Sequence, residues 1–195
     1  SYSVTGVQTC ALPIYNPIFP WKGTIKRDTS DTWKKYQKVH DVVCSGKIDR
    51  DSSKKISFLN DFFITEMNQT SSRKTKNAKM NPNFWKELEL RKKEIINSYF
   101  IKHFPVVVLA CSDYIWNTES DMQISNIFNV TFDKEYFFSE QNKFWTHYDN
   151  NYERLVIHTR QLSMAVMDDM IIKIGQLINQ HLKKQKYGRS GFNLY

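Results

Sequence analysis

Cysteine is scarce in this chain of 195 residues. It occurs three times, at Cys10, Cys44 and Cys111, and no two of these form a Cys-x-x-Cys pair. A disulfide framework and a zinc site are therefore disfavoured, and a reducing, cytoplasmic setting is expected. No apolar run approaches the roughly 20 residues that a membrane span needs. We accordingly expect no membrane partner, no metal and no cofactor.

An initiating methionine is also absent, and residues 4–14, VTGVQTCALPI, match the translation of a common sequencing-library adapter. We therefore treat residues 1–14 as a non-native, adapter-like segment, exclude them from fold reasoning, and expect the native N-terminus to be missing. A signal peptide is the alternative, but the segment has neither a basic start nor a long apolar core. Residues 15–195 are expected to form a single domain, which is long enough to bury a core.

The composition is that of a folded protein with an uneven basic charge. Hydrophobic residues make up 41% of the chain, aromatic residues 14%, and the net charge is +8. Residues 1–100 hold 18 Lys and Arg against 10 Asp and Glu, whereas residues 101–195 hold 10 of each kind. An asymmetric basic patch favours a polyanionic partner, because neutralising phosphates releases counterions. A solvated, lysine-rich surface is the alternative.

The hydrophobic pattern predicts alternating strands and helices. Strands are expected at Ile56–Glu66, Val106–Cys111 and Leu155–His158, and helices from Asp31 to about Gly46, over Pro82–Lys102, and after Asp168. An aromatic insertion at about 116–151 separates the last two strands; it shows no clear hydrophobic period, and it has room for a short helix near Ser120–Phe128 and a hairpin beyond it. This order predicts an α/β fold, a three-layer sandwich with a mainly parallel central sheet flanked by helices and N-terminally truncated.

Polar side chains follow the predicted strands. The stretch LVIHTRQLS, Leu155 to Ser163, runs from three apolar residues into side chains that can hydrogen-bond. Ligands of open α/β sheets bind beyond the carboxyl ends of the strands. We therefore expect His158 and the residues after it to share one crevice with Asn60 and with Ser112 and Asp113. The alternative is that His158 is a structural histidine and Asn60 marks a bend.

These strand ends resemble the motifs of the uracil-DNA glycosylase superfamily. The segment FLNDFFITE is similar to that family's strand ending in Leu-Leu-Asn, VVVLACS to VVFLLWG, and HTRQLS to HPSPLS. The resemblance extends over about Ile56 to Leu182. It implies an enzyme that hydrolyses the N-glycosidic bond of a base flipped out of DNA, acting as a monomer.

The resemblance also implies roles for individual residues. His158 would stabilise the negative charge of the departing base, and Asn60 would read that base with its carboxamide. Leu162 stands at the position of the wedge that fills the gap in the base stack, and Arg160 and Ser163 would hold backbone phosphates.

Further DNA contacts are expected in the basic stretch, from Arg73, Lys74, Lys76 and Lys79. The family's water-activating aspartate lies in a Gly-x-Asp-Pro motif that this chain lacks, so no catalytic base is assigned. Two alternatives stay open: a non-catalytic nucleic-acid-binding α/β protein, and a metal-dependent nuclease using Asp61 and Glu66.

Overall fold

The computed structural model of the protein describes residues 4–8, 31–49, 56–67, 78–162 and 165–190. Within these ranges, six strands form one mixed sheet against which helices pack, so the predicted α/β class is confirmed. The strands are β1 (Val4–Gln8), β2 (Phe62–Glu66), β3 (Val106–Ala110), β4 (Thr131–Ser139), β5 (Asn142–Tyr148) and β6 (Leu155–Thr159). The helices are α1 (Asp31–Ser45), α2 (Phe84–Arg91), α3 (Tyr99–Lys102), α4 (Gln123–Phe128) and α5 (Asp168–Ser190).

The strand order across the sheet is β2-β1-β3-β6-β5-β4. Strand β1 is parallel to both β2 and β3, and β3 is parallel to β6. Strand β5 is antiparallel to β6 and to β4, so the hairpin of the predicted insertion extends the sheet. Because Phe62, Val106 and Leu155 share one register level, they mark the amino end of the parallel strands.

Strand β1 lies inside the segment that the sequence analysis set aside. Its residues pair with β2 on one side and with β3 on the other, from Val4 opposite Phe62 and Val106 onwards. Excluding residues 1–14 therefore left a central strand out of the predicted fold. The origin of the segment as an adapter stays a prediction.

Two apolar clusters cover the two faces of the sheet. Strands β3 and β6 are buried along their whole length, and their side chains alternate between the clusters. Val106 and Val108 join the first cluster, with the apolar faces of α1 and α5. Val107 and Leu109 join the second, with residues of α2 and α4. The run of β-branched residues that predicted these strands is thus buried from both sides.

Helices α1 and α5 form where the apolar pattern predicts them. Gly46, at φ 81°, ends α1 by donating its N–H to the carbonyl of Val42 at 2.9 Å, which is a usual role for glycine after a helix. Gly175 of α5 packs directly on α1, because a Cβ at this position would lie 2.6 Å from Cβ of Val42. None of the helices in the described ranges is both long and apolar enough to cross a membrane.

Two predicted elements are interrupted. The helix expected over Pro82–Lys102 is α2 followed by a π-helical segment at Lys92–Ile96, and the chain restarts as α3 with the Ser98 side chain accepting from the N–H of Ile101. The strand expected at Ile56–Glu66 begins only at Phe62, after a 3-10 turn at Phe58–Asn60. In that turn the Phe58 side chain is fully buried against Trp33 and Tyr36 of α1.

Candidate functional site

A pocket of about 670 Å³ lies between β5, β6 and the segment that follows β3. Its volume falls within the range of about 300–1,000 Å³ usual for small-molecule sites. Of the ten described residues that line it, five carry aromatic or imidazole rings, none is Lys or Arg, and Glu119 carries a carboxylate. The lining residues are Trp116, Asn117, Thr118, Glu119, Met122, Ile124, Phe132, Trp145, His147 and His158. Such walls favour a flat ligand without negative charge.

Strand register brings the rings of the pocket together. Trp145 of β5 pairs with His158 of β6, and His147, two residues further along β5, pairs with Phe132 of β4. Residues two apart on a strand face the same side of a sheet, so Trp145 and His147 share one face. His147 meets Phe132 edge to face, with 5.9 Å between ring centroids.

The loop opposite the strands is held by Asn117. Its Oδ1 accepts from the backbone N–H groups of Ile124 at 2.9 Å and Ser125 at 3.2 Å. Its Nδ2 donates to the Ser125 hydroxyl at 2.9 Å. These bonds satisfy N–H groups at the start of α4 in the manner of a helix cap, and they fix the wall formed by Trp116 and Met122.

His158 is oriented by one hydrogen bond and one stacking contact. Its Nε2 donates to the backbone carbonyl of Ser112 at 2.8 Å, and its ring stacks on Trp145 with centroids 5.3 Å apart and planes at 27°. Burial lowers the pKa of the His158 imidazole below its usual value, although the Ser112 carbonyl partly offsets this. A carbonyl oxygen can only accept, so the neutral ring carries its proton on Nε2 and a lone pair on Nδ1.

Ser112 holds that carbonyl in an unusual backbone conformation. Its φ of 52° lies in the left-handed region, which is uncommon for residues other than glycine and is concentrated at functional sites. The Ser112 hydroxyl accepts from the N–H of Gln161 at 3.4 Å, and the N–H of Cys111 donates to the carbonyl of Thr159 at 3.1 Å. The ends of β3 and β6 are thereby tied together beside His158.

His147 is the second imidazole in the wall. It is 2% exposed, and burial is the main cause that lowers its pKa to about 4. Its Nδ1 is buried and makes no hydrogen bond among the described residues. At neutral pH, the pocket therefore contains two uncharged imidazoles.

Asn60 does not share this pocket. It precedes β2 and so lies at the amino end of the parallel strands, whereas His158 lies three residues beyond Leu155 toward their carboxyl end. The expectation that the two residues converge on one crevice is therefore wrong, because the 3-10 turn moves Asn60 ahead of the strand. The carboxyl end of β2 carries Glu66 instead, and burial raises the pKa of its carboxyl group to about 8.

The same geometry separates the carboxylates of the nuclease alternative. Asp61 stands immediately before β2 and Glu66 is its last residue, and Asp61 Oδ2 accepts from Nε2 of His40 at 2.8 Å. Among the residues that the structure describes, no three His, Cys, Asp or Glu side chains form a group that could hold a metal.

Leu162 is not available as a wedge in this conformation. Its side chain is 1% exposed and belongs to the apolar cluster under α1 and α5, so the wedge expectation is wrong for this state of the chain. Neighbouring Arg160 donates from Nη1 to the backbone carbonyl of Gln141 at 2.6 Å, a contact at the β4–β5 turn. Ser163 lies outside the described residues.

Lys79 is the described member of the predicted DNA-contacting set. Its Nζ forms an ion pair with Asp113 at 2.9 Å and lies 5.1 Å from the ring centroid of Tyr114. Asp113 adjoins Ser112, so Lys79 lies near the carboxyl end of β3, where the Ser112 carbonyl accepts a hydrogen bond from His158. Arg73, Lys74 and Lys76 fall outside the described residues.

Sequence reasoning identified His158 and noted Ser112, but it missed Trp116, Phe132, Trp145 and His147. These four lie in the stretch 116–151, whose aromatic residues show no simple period. The usable signal was the spacing of Trp145 and His147, which places both on one face of a strand. That signal becomes specific only once β5 is known to pair with β6.

Comparisons with known proteins assign no family to this geometry: no protein-family model matches the chain, and no curated protein or solved structure is detectably similar to it.

Proposed function

We propose that this chain binds a flat, uncharged heteroaromatic ring, of the kind found in an unpaired nucleobase, in the pocket beside His158. The observation that carries the proposal is the wall itself, in which Trp116, Phe132 and Trp145 accompany two neutral imidazoles. Stacking of a base on an aromatic side chain contributes about 1–3 kcal/mol and tolerates any base, because every base has a π face. The absence of a cation from the described lining disfavours a phosphate inside the pocket.

Positive charge near the pocket supports a nucleic acid as the source of the ring, and DNA is the nucleic acid of this proposal. Lys79 lies by the end of β3, and the basic residues Arg73, Lys74 and Lys76 precede it closely in the chain. A basic segment can follow a phosphate backbone while a neighbouring aromatic pocket takes a base. In this proposal, the pocket recognises the ring and the basic segment supplies salt-sensitive affinity.

A comparison of two oligonucleotides tests the proposal. We expect the full chain to bind single-stranded oligodeoxyadenylate more tightly than an abasic strand of equal length, in a fluorescence anisotropy titration at fixed salt. Trp145→Ala should weaken binding of the base-bearing strand about tenfold, since it removes an aromatic ring of the pocket wall and the stacking partner of His158. Tyr99→Ala is the control, because Tyr99 is 82% exposed on α3 and does not line the pocket. Equal affinity for both strands would overturn the proposal.

Base excision is the second candidate. The observation that favours it is that His158, which matches the catalytic histidine of the glycosylase motif, lines the pocket. In the described geometry its Nε2 proton is engaged by Ser112, so excision would require that contact to give way to the base. Release of uracil from a uracil-containing oligonucleotide, lowered by orders of magnitude in His158→Ala, would support this candidate. If the folded chain binds the oligonucleotide but releases no uracil, base excision is excluded and the base-binding proposal remains.

We also propose two finer features, the layered architecture of the fold and the cellular setting of the protein. Three parallel strand pairings and helices against both faces of the sheet support a three-layer sandwich with a mainly parallel centre. Cys44 and Cys111 are both free thiols, which supports the reducing, cytoplasmic setting.

A further inference from the structure

The backbone at Ser112 determines which tautomer His158 adopts. The Ser112 carbonyl accepts from Nε2 of His158, and Ser112 is itself fixed by its left-handed conformation and by the N–H of Gln161. The other neutral tautomer, with its proton on Nδ1, would place the lone pair of Nε2 against that carbonyl, which is unfavourable for a buried pair. Nδ1 of His158, which bonds to no described residue, is thus the nitrogen that remains for a ligand, and it can only accept.

Several other polar groups of the wall are engaged within the protein or are acceptors, whereas the indole N–H groups of Trp116 and Trp145 are donors. The Asn117 carboxamide is used within its own loop. The Thr118 hydroxyl contacts Ser120 and accepts from the N–H of Asp121 at 3.0 Å. Glu119 contributes a carboxylate, which accepts. Nδ1 of His158 and the Glu119 carboxylate therefore match the hydrogen-bond donors of a ligand, and the two indole N–H groups match its acceptors.

Resting on the proposed base-binding function, we propose that Nδ1 of His158 selects rings that carry an N–H donor, so that the pocket takes an amino-bearing base in preference to the same ring without its amino group. His158 is 9% exposed, so a ligand without a donor would leave a buried acceptor unpaired. A lost hydrogen bond of this kind reduces affinity about tenfold. His158 is in this sense a specificity-determining residue, independent of any catalytic step.

Adenosine and purine ribonucleoside form the discriminating pair, because they differ only by the 6-amino group. The base of purine ribonucleoside therefore has no N–H donor. In isothermal titration calorimetry with the full chain at pH 7.5, we expect adenosine to bind about tenfold more tightly. His158→Phe retains a ring to stack on Trp145 and should bring the ratio of the two affinities close to one. His103→Phe, a substitution of an exposed histidine outside the pocket, should leave the ratio unchanged.

Nitrogen-15 NMR of the wild-type imidazole provides a second readout that needs no variant. We expect Nε2 protonated and Nδ1 unprotonated in the free chain, with the Nδ1 resonance shifting when adenosine binds but not when purine ribonucleoside binds. Equal affinity for the two nucleosides, or a proton on Nδ1 in the neutral ring, would overturn the inference and leave base binding intact. Failure of both nucleosides and of the oligonucleotide to bind would instead remove the proposed function, and the inference with it.

Discussion

At neutral pH the folded chain holds His147 uncharged, because burial lowers the pKa of its imidazole from 6.5 to about 4. In the unfolded chain the same group titrates near its ordinary value. Between these two pKa values the unfolded state binds more protons than the folded state, so acid favours unfolding. The stability that this residue contributes is fully present above pH 6.5 and is lost as the pH falls toward 4.

His147→Phe should make the protein less sensitive to acid. We expect the free energy of unfolding, measured by urea denaturation at pH 7 and pH 4, to fall by roughly 3 kcal/mol more in the wild type than in this variant. Burial also lowers the pKa values of His158 and His181, and because these two groups are present in both proteins, the difference reports mainly on His147. Parallel curves of stability against pH would contradict the prediction.

At the scale of single elements, the crossing of α1 and α5 depends on one missing side chain. Gly175 lies in the middle of α5, where glycine is ordinarily unfavourable by about 1 kcal/mol relative to alanine. A Cβ there would lie 2.6 Å from Cβ and 2.7 Å from Cγ1 of Val42, and 3.1 Å from the carbonyl oxygen of Val39. Since two of these three atoms are a Cβ and a backbone oxygen, rotation of a side chain cannot relieve the overlap.

Gly175→Ala should therefore destabilise the protein although alanine is the better helix former. We expect a loss of about 1–3 kcal/mol in the free energy of unfolding, the usual range for overpacking in a core. Gln176→Ala, at the exposed next position of the same helix, should be neutral or slightly stabilising. A stabilised Gly175→Ala variant would mean that α1 and α5 cross at a greater distance.

Elements with one dominant pattern could be predicted from the sequence, and those without one could not. Val106–Ala110 and Leu155–Thr159 are buried throughout, and the apolar runs VVVLA and LVI within them are sufficient to identify strands. The first five residues of β4 are all exposed, which removes the alternation that would have marked a strand. Phe58 has the side chain of a strand residue, yet it is buried against α1 within the 3-10 turn that places Asn60 ahead of β2.

At the scale of the whole molecule, the candidate site depends on how the sheet is assembled. His158 could be predicted because it stands at the end of a strand that the sequence identifies. Its partners could not, since Trp145 meets it only through the antiparallel register of β5 and β6. Ser112 adopts its left-handed conformation without the glycine that would have signalled it.

Strand β1 provides the test at this scale, because it lies between β2 and β3 and pairs with both. Deleting residues 1–8 would remove both ladders and expose two unpaired strand edges in the middle of the sheet. Each lost hydrogen bond contributes about 0.5–1.5 kcal/mol, and the total stability of a domain is about 5–15 kcal/mol. We therefore expect the melting temperature, followed by circular dichroism, to fall by at least about 10 °C. Exposed edges should also promote self-association, which size-exclusion chromatography would detect.

Deleting only residues 1–3 is the control, because it leaves every residue of β1 in place. An unchanged melting temperature after removal of residues 1–8 would show that the adapter-like segment contributes nothing to the fold, and that β2 and β3 are held together by the helices alone.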